Sequence, residues 1–133
     1  MPRESNAVQP GPDTQHMKNR PFRDRLGFAI AGIVHTVRSE NSFRVHVLAT
    51  CAVLIALIVM RPAPLWWAII LLTVTAVLGA ELINTALEHL VDHLHPEQHP
   101  RIKLVKDCAA GAVLVFSIGA LGIAAAFLLD YFG

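Results

Sequence analysis

Charge is scarce in this sequence. Only 16% of its 133 residues are Asp, Glu, Lys or Arg, and the formal net charge is +1. The Lys and Arg residues form no basic stripe, so nothing here is built to follow a nucleic-acid backbone. Cysteine is scarce too. Cys51 and Cys108 fall in or at the edge of apolar runs, where a thiol acts as a small apolar side chain, and no disulfide is expected. There is no Walker-type phosphate loop, no kinase Gly-rich loop and no internal repeat. Residues 1–20 contain Pro2, Pro10, Gly11, Pro12 and Asp13 but no apolar h-region. They read as a disordered polar tail rather than a signal peptide.

Hydrophobicity is what the chain has in abundance: 54% of its residues are apolar, most of them in three blocks. From Pro21, Phe22, Leu26, Ile30, Ile33 and Val37 recur at spacings of three and four, with Arg23, Arg25, His35 and Arg38 between them. That pattern predicts an amphipathic helix over about 21–40, too polar to cross a bilayer and suited to the headgroup plane. The first spanning block covers about 43–60 and stops at Arg61-Pro62-Ala63-Pro64. The second covers about 65–94, with Trp66 and Trp67 at a membrane interface, and ends in the proline-containing stretch from His95 to Arg101. The third, about 108–129, carries no charge and is long enough to span the ~30 Å hydrocarbon core. The fold class predicted is all-α and integral to a membrane: an N-terminal surface helix plus three transmembrane helices, one domain over 21–133 after the tail.

Orientation follows from the cations. Seven precede the first span or sit at its very start: Arg3, Lys18, Arg20, Arg23, Arg25, Arg38 and Arg44. Arg101, Lys103 and Lys106 lie between the second and third spans, only Arg61 lies between the first and second, and none follows the third. The N-terminus and second loop are therefore expected in the cytoplasm and the C-terminus outside.

The informative stretch is Glu81-Leu82-Ile83-Asn84-Thr85-Ala86-Leu87-Glu88-His89-Leu90-Val91-Asp92. Residues 81, 84, 88 and 92 fall within roughly 80° of one another on a helix, with Thr85 at the border. Counting from Leu65, Glu81 lies about 24 Å along the axis, just inside the far boundary, and Glu88 about 10 Å further on. A carboxylate at the depth of Glu81 is costly to keep ionised, and proton transfer is the chemistry it suits. Glu88 and Asp92, in wetter positions, can hold a hard divalent cation. Glu40 precedes the first span, and Lys106 and Asp107 precede the third, so cations and carboxylates meet at one level where a polyphosphate could be held. Structural roles compete with these. Asn84 and Thr85 can hydrogen-bond across helices, Asp107 can serve as a first-turn acid, and Lys106 can snorkel. His89 and His93, at i, i+4 but with no defined third ligand, read as a solvated helix end.

The run Glu81-x-x-Asn84-Thr85-Ala86-x-Glu88-x-x-x-Asp92, followed by Lys106-Asp107-x-Ala109-Ala110-Gly111-Ala112-Val113, closely resembles the prokaryotic diacylglycerol kinase family, as does Glu40-Asn41-Ser42-Phe43-Arg44. The resemblance covers about residues 21–130. It implies a homotrimer in the bacterial inner membrane, with active sites shared between subunits, in which a lipid hydroxyl attacks the γ-phosphate of Mg2+-bound ATP. It implies Glu81 as general base, Asn84 as a positioning group, and Glu40 and Glu88 as magnesium ligands. Lys106 and Asp107 would contact the nucleotide, with the loop Glu97-Gln98-His99 beside it. Phe28 stands in place of a tyrosine near the nucleotide. Pro21, flanked by Arg20 and Arg23, stands where one branch has a substrate-contacting arginine, and Asp24 where a lysine is common. The implied substrate is diacylglycerol. Glu40-Asn41-Ser42-Phe43-Arg44-x-His46 also resembles the branch that phosphorylates undecaprenol. Outside this family, the stripe is compatible with a proton-carrying transporter subunit or a non-catalytic scaffold.

Overall fold

Residues 21–97 and 99–133 are described by a computed structural model, so the tail read over 1–20, with Arg20, lies outside the described residues, as does Gln98. The described residues form four helices and no strand: α1 (Phe22–Ser39), α2 (Asn41–Met60), α3 (Pro64–Leu94) and α4 (Pro100–Phe132). Packing divides the chain into two compact units, one ending at Val34 and the other running from His35 to Gly133.

The first unit carries most of α1. The helix starts on Pro21, whose carbonyl accepts hydrogen bonds from the Asp24 and Arg25 amides at 3.0 and 3.3 Å. Asp24 sits in the first turn, where a negative charge is favoured by the helix dipole. Phe22, Leu26, Phe28, Ile30 and Ile33 are all exposed.

The second unit is a bundle of α2, α3 and α4. The three helices are long and apolar enough to cross a membrane, and only 6% to 17% of the residues in their most apolar windows are buried. Such faces belong in lipid, because a helix satisfies its own backbone there and its apolar side chains need no protein cover. The 20 residues of α2 span about 30 Å, matching the hydrocarbon core. With 31 and 33 residues, α3 and α4 reach about 46 and 50 Å, so both project beyond it. The third apolar block is therefore only part of its helix. α4 begins at Pro100, not at the charge-free residue Cys108, because a proline at the first helical position needs no amide partner and His99 Nδ1 accepts from the Arg101 amide as the cap.

The ends differ in character. At one end α2 stops at Arg61, which takes the left-handed conformation (φ 48°, ψ 53°) and returns its amide to the Leu57 carbonyl at 2.9 Å. Pro64 then starts α3. The core lies at this end, where Leu57, Ile70 and Phe127 are buried with Trp66, Val74 and Ile123 packed around them. Trp66 stacks edge-on to Phe127 at 5.3 Å, and its indole N–H donates to Asp130 Oδ2 at 2.8 Å. Tyr131 donates to the Met60 carbonyl at 3.2 Å. These contacts tie the close of α4 to the α2–α3 turn. Asp130→Ala is expected to cost about 0.5–1.5 kcal/mol, the worth of one hydrogen bond. Trp66→Phe should lose a similar amount while keeping the ring contact, and thermal scans in detergent would check both.

At the other end Glu40 breaks the helix for one residue. Its backbone is extended (φ −105°, ψ 116°), its amide donates to the Thr36 carbonyl at 2.9 Å, and its carbonyl accepts from the Arg44 amide at 3.2 Å. The junction between α1 and α2 thus holds Glu40 from both sides. α3 packs chiefly against α4 and less against α2.

Candidate active site

One face of α3 is buried along its length by Ile70, Val77, Glu81 and Thr85. Spacings of seven, four and four make this a single helical stripe. Glu81 is 4% exposed, an acid in line with core residues. Its partners come from α2. Ser42 Oγ donates to Glu81 Oε1 at 3.3 Å, and His46 Nε2 lies 3.1 Å from the same oxygen. Ser42 and His46 are one turn apart, so one face of α2 presents both groups to Glu81. Neither was anticipated as a partner of Glu81. The available signal was a polar pair at i, i+4 opening an apolar helix, opposite a helix with an intramembrane acid.

One turn further along α3, Asn84 donates to Glu88 Oε1 at 3.2 Å, while its own Oδ1 is buried and accepts nothing. Next to Glu88, His89 Nε2 lies 3.6 Å from Glu40 Oε1 and packs edge-on against His35 at 5.6 Å. His89, half of whose side chain is exposed, also faces Glu40 at the α1–α2 junction. An orphaned amide oxygen beside the Glu88 carboxylate supplies hard oxygen donors, the kind Mg2+ takes together with phosphate oxygens and water. Among the described residues no three His, Cys, Asp or Glu side chains are grouped to hold a metal ion by themselves.

Where α3 ends and α4 begins, an open cavity of about 710 Å³ is lined by Asp92, Glu97, His99, Lys103, Lys106 and Asp107. Glu97, His99, Lys106 and Asp107, separately expected at a nucleotide, thus share one cavity. Lys106 Nζ spans both carboxylate oxygens of Asp92 at 2.9 and 3.1 Å, and Lys103 pairs with Asp107. Asp107 lies well inside α4, so the first-turn role considered for it does not apply; no acid occupies that turn. Two ammonium groups therefore face the cavity already paired to aspartates, and an anionic ligand would replace carboxylate with phosphate at the same donors.

Along about 16 Å of α3, from residue 81 to residue 92, the chain passes from a buried carboxylate through an amide and a half-buried carboxylate to an exposed ion pair. A buried carboxylate lies below, and oxygen donors and cations lie above. That order suits proton removal from a group at the membrane surface and charge neutralisation of a partner in water. Phe28 lies in the first unit, on α1, and is half-exposed.

Comparison with known proteins gives a consistent result. Residues 27–128 match the sequence model of the prokaryotic diacylglycerol kinase family. The chain is 41% identical over 106 residues to the undecaprenol kinase of Bacillus subtilis, covering 80% of this chain and 85% of that protein. It is 36% identical over 103 residues to a diacylglycerol kinase of Synechocystis sp., covering 77% of this chain and 59% of that protein.

Proposed function

The chain belongs to the prokaryotic diacylglycerol kinase family, and on that premise we propose that it transfers the γ-phosphate of ATP to the hydroxyl of a membrane lipid at the end of the bundle where Glu81, Glu88 and Lys106 lie. It is a membrane lipid kinase, which removes the transporter and scaffold readings of the polar stripe. The observation carrying the site assignment is the buried Glu81 carboxylate one level below an open, lysine-bearing cavity.

In the scheme we favour, Glu81 accepts the proton of the lipid hydroxyl. The hydroxyl oxygen bonds to the γ-phosphorus, the bond from that phosphorus to the β–γ bridging oxygen breaks, and ADP leaves. Phosphoryl transfer asks mainly for positioning and charge neutralisation, which a small bundle can supply. Glu40 and Glu88 would hold magnesium, which neutralises phosphate charge when bound. The oxygen-donor set at Asn84 and Glu88 fits that ion. Asn84 positions the reacting groups, while Lys106, Asp107, Glu97 and His99 face the nucleotide. Phe28 enters the scheme through the family resemblance alone.

The finer assignments follow the same premise. The excess of cations before and at the start of α2 and in the first turns of α4 supports a cytoplasmic active end, with α1 lying in the headgroup plane. The large apolar surface left on all three long helices is compatible with a homotrimer in lipid. As substrate we place undecaprenol first, because the identity and coverage are higher toward the undecaprenol kinase. Diacylglycerol, expected from the sequence motifs, is the second reading and is supported by the other relative. Both present a primary alcohol at the interface. The test is ATP-dependent phosphorylation by the purified protein in mixed micelles, with undecaprenol and diacylglycerol in parallel. A kcat/KM favouring undecaprenol by tenfold or so is the expected result; the opposite ratio would reassign the substrate, and no product from either would remove both.

A further inference from the structure

Glu81 is held in an asymmetric way. Ser42 Oγ donates to Oε1 at 3.3 Å, and His46 Nε2 lies 3.1 Å from the same oxygen, an ion-pair contact when the imidazole is protonated. Among the described residues nothing bonds to Oε2. A carboxylate with one oxygen bonded to a hydroxyl and held against an imidazole nitrogen on a neighbouring helix cannot rotate freely, and its second oxygen has a fixed direction. The carboxylate side chain is only 6% exposed and that of His46 is 27% exposed, so the anchoring bond is shielded from competition by water.

We propose that His46 and Ser42 are positioning residues for the phosphoryl transfer, clamping Glu81 Oε1 so that Oε2 is aimed at the lipid hydroxyl. The inference rests on Glu81 being the general base. In the resting site the His46 Nε2–H and the Ser42 hydroxyl donate to Oε1. During transfer the hydroxyl proton passes to Oε2, and neither positioning residue exchanges a proton or touches the substrate. A base must meet its proton within hydrogen-bond reach, and small misplacements cost rate steeply without weakening nucleotide binding. The nucleotide cavity is formed by the end of α3, the α3–α4 loop and the start of α4, apart from α2. The clamp should therefore act on kcat and leave the KM for ATP nearly unchanged.

The experiment measures kcat and the KM for ATP of the intact protein in mixed micelles, with undecaprenol and diacylglycerol each offered as acceptor. The variants are His46→Leu, His46→Gln, Ser42→Ala and Glu81→Gln. Gln places an amide N–H close to where histidine carries Nε2–H, but it cannot carry a proton. We expect His46→Leu to lower kcat by roughly ten- to a hundredfold, with the KM for ATP within about threefold of wild type. Ser42→Ala should lower kcat by a few-fold, about the worth of one neutral hydrogen bond. His46→Gln should recover most of the loss seen in His46→Leu, which a general packing defect would not allow. Wild-type kcat in His46→Leu, a His46→Gln variant no better than His46→Leu, or a fall expressed in the KM for ATP would each overturn the clamp. The base assignment fails separately: full activity in Glu81→Gln would remove it, whereas an inactive Glu81→Gln beside a fully active His46→Leu would remove the clamp alone.

Discussion

Glu81→Gln is expected to lower kcat by on the order of a thousandfold or more, with little change in fold or in the KM for ATP. The substitution keeps shape and removes only the ability to accept a proton. Ser42 donates to Oε1 and His46 Nε2 lies 3.1 Å from it, and a glutamine oxygen can accept from the hydroxyl and face the imidazole in the same place. The buried site therefore stays satisfied, and a carboxylate in low-exposure surroundings is replaced by a neutral amide that is less costly to bury. Thermal stability in detergent should be equal to wild type or slightly higher. The cavity proposed to take the nucleotide does not include residue 81, so ATP should still saturate at a similar concentration. The comparison is a kcat at saturating ATP and lipid beside a melting curve. A variant keeping more than about a tenth of wild-type turnover would take the base role from Glu81.

The bundle was legible because each apolar block carries its own limits. Met60-Arg61-Pro62 and Leu94-His95-Pro96 stop helices on their own chemistry, and α2 and α3 end where that chemistry says. The start of α4 was less legible, because charge marks where a helix enters lipid and not where its hydrogen bonds begin. Lys103, Lys106 and Asp107 are helical yet polar. Glu81 stood out as an acid within an apolar run, a property of one helix. Its anchors, Ser42 and His46, did not, since contact between α2 and α3 depends on how the helices are turned toward each other. The same holds for His89 beside Glu40, for Lys106 across from Asp92, and for Trp66 on Asp130. Spacing along one helix predicts which residues share a face, and only the packing tells what that face meets.

Glu88→Ala is expected to raise the magnesium concentration needed for half-maximal activity by roughly ten- to a hundredfold, and to weaken ATP binding in parallel. Magnesium binds through one or two carboxylates with phosphate oxygens and water filling its octahedron, so losing one of two proposed ligands removes a large share of the protein's hold. Alanine also strips Asn84 Nδ2 of its acceptor, and with Oδ1 already unpartnered the amide would be free to turn. Glu88→Gln separates the two effects, because its oxygen can still accept from Asn84 while the charge is gone. If the loss comes from the charge, Glu88→Gln should show most of the magnesium shift seen in Glu88→Ala; if it comes from the Asn84 contact, Glu88→Gln should resemble wild type. Titration of activity with Mg2+ at fixed ATP reads the difference. An unchanged magnesium requirement in both variants would take Glu88 out of the metal site and leave Glu40, anchored by its extended backbone and by His89, as the carboxylate to test next.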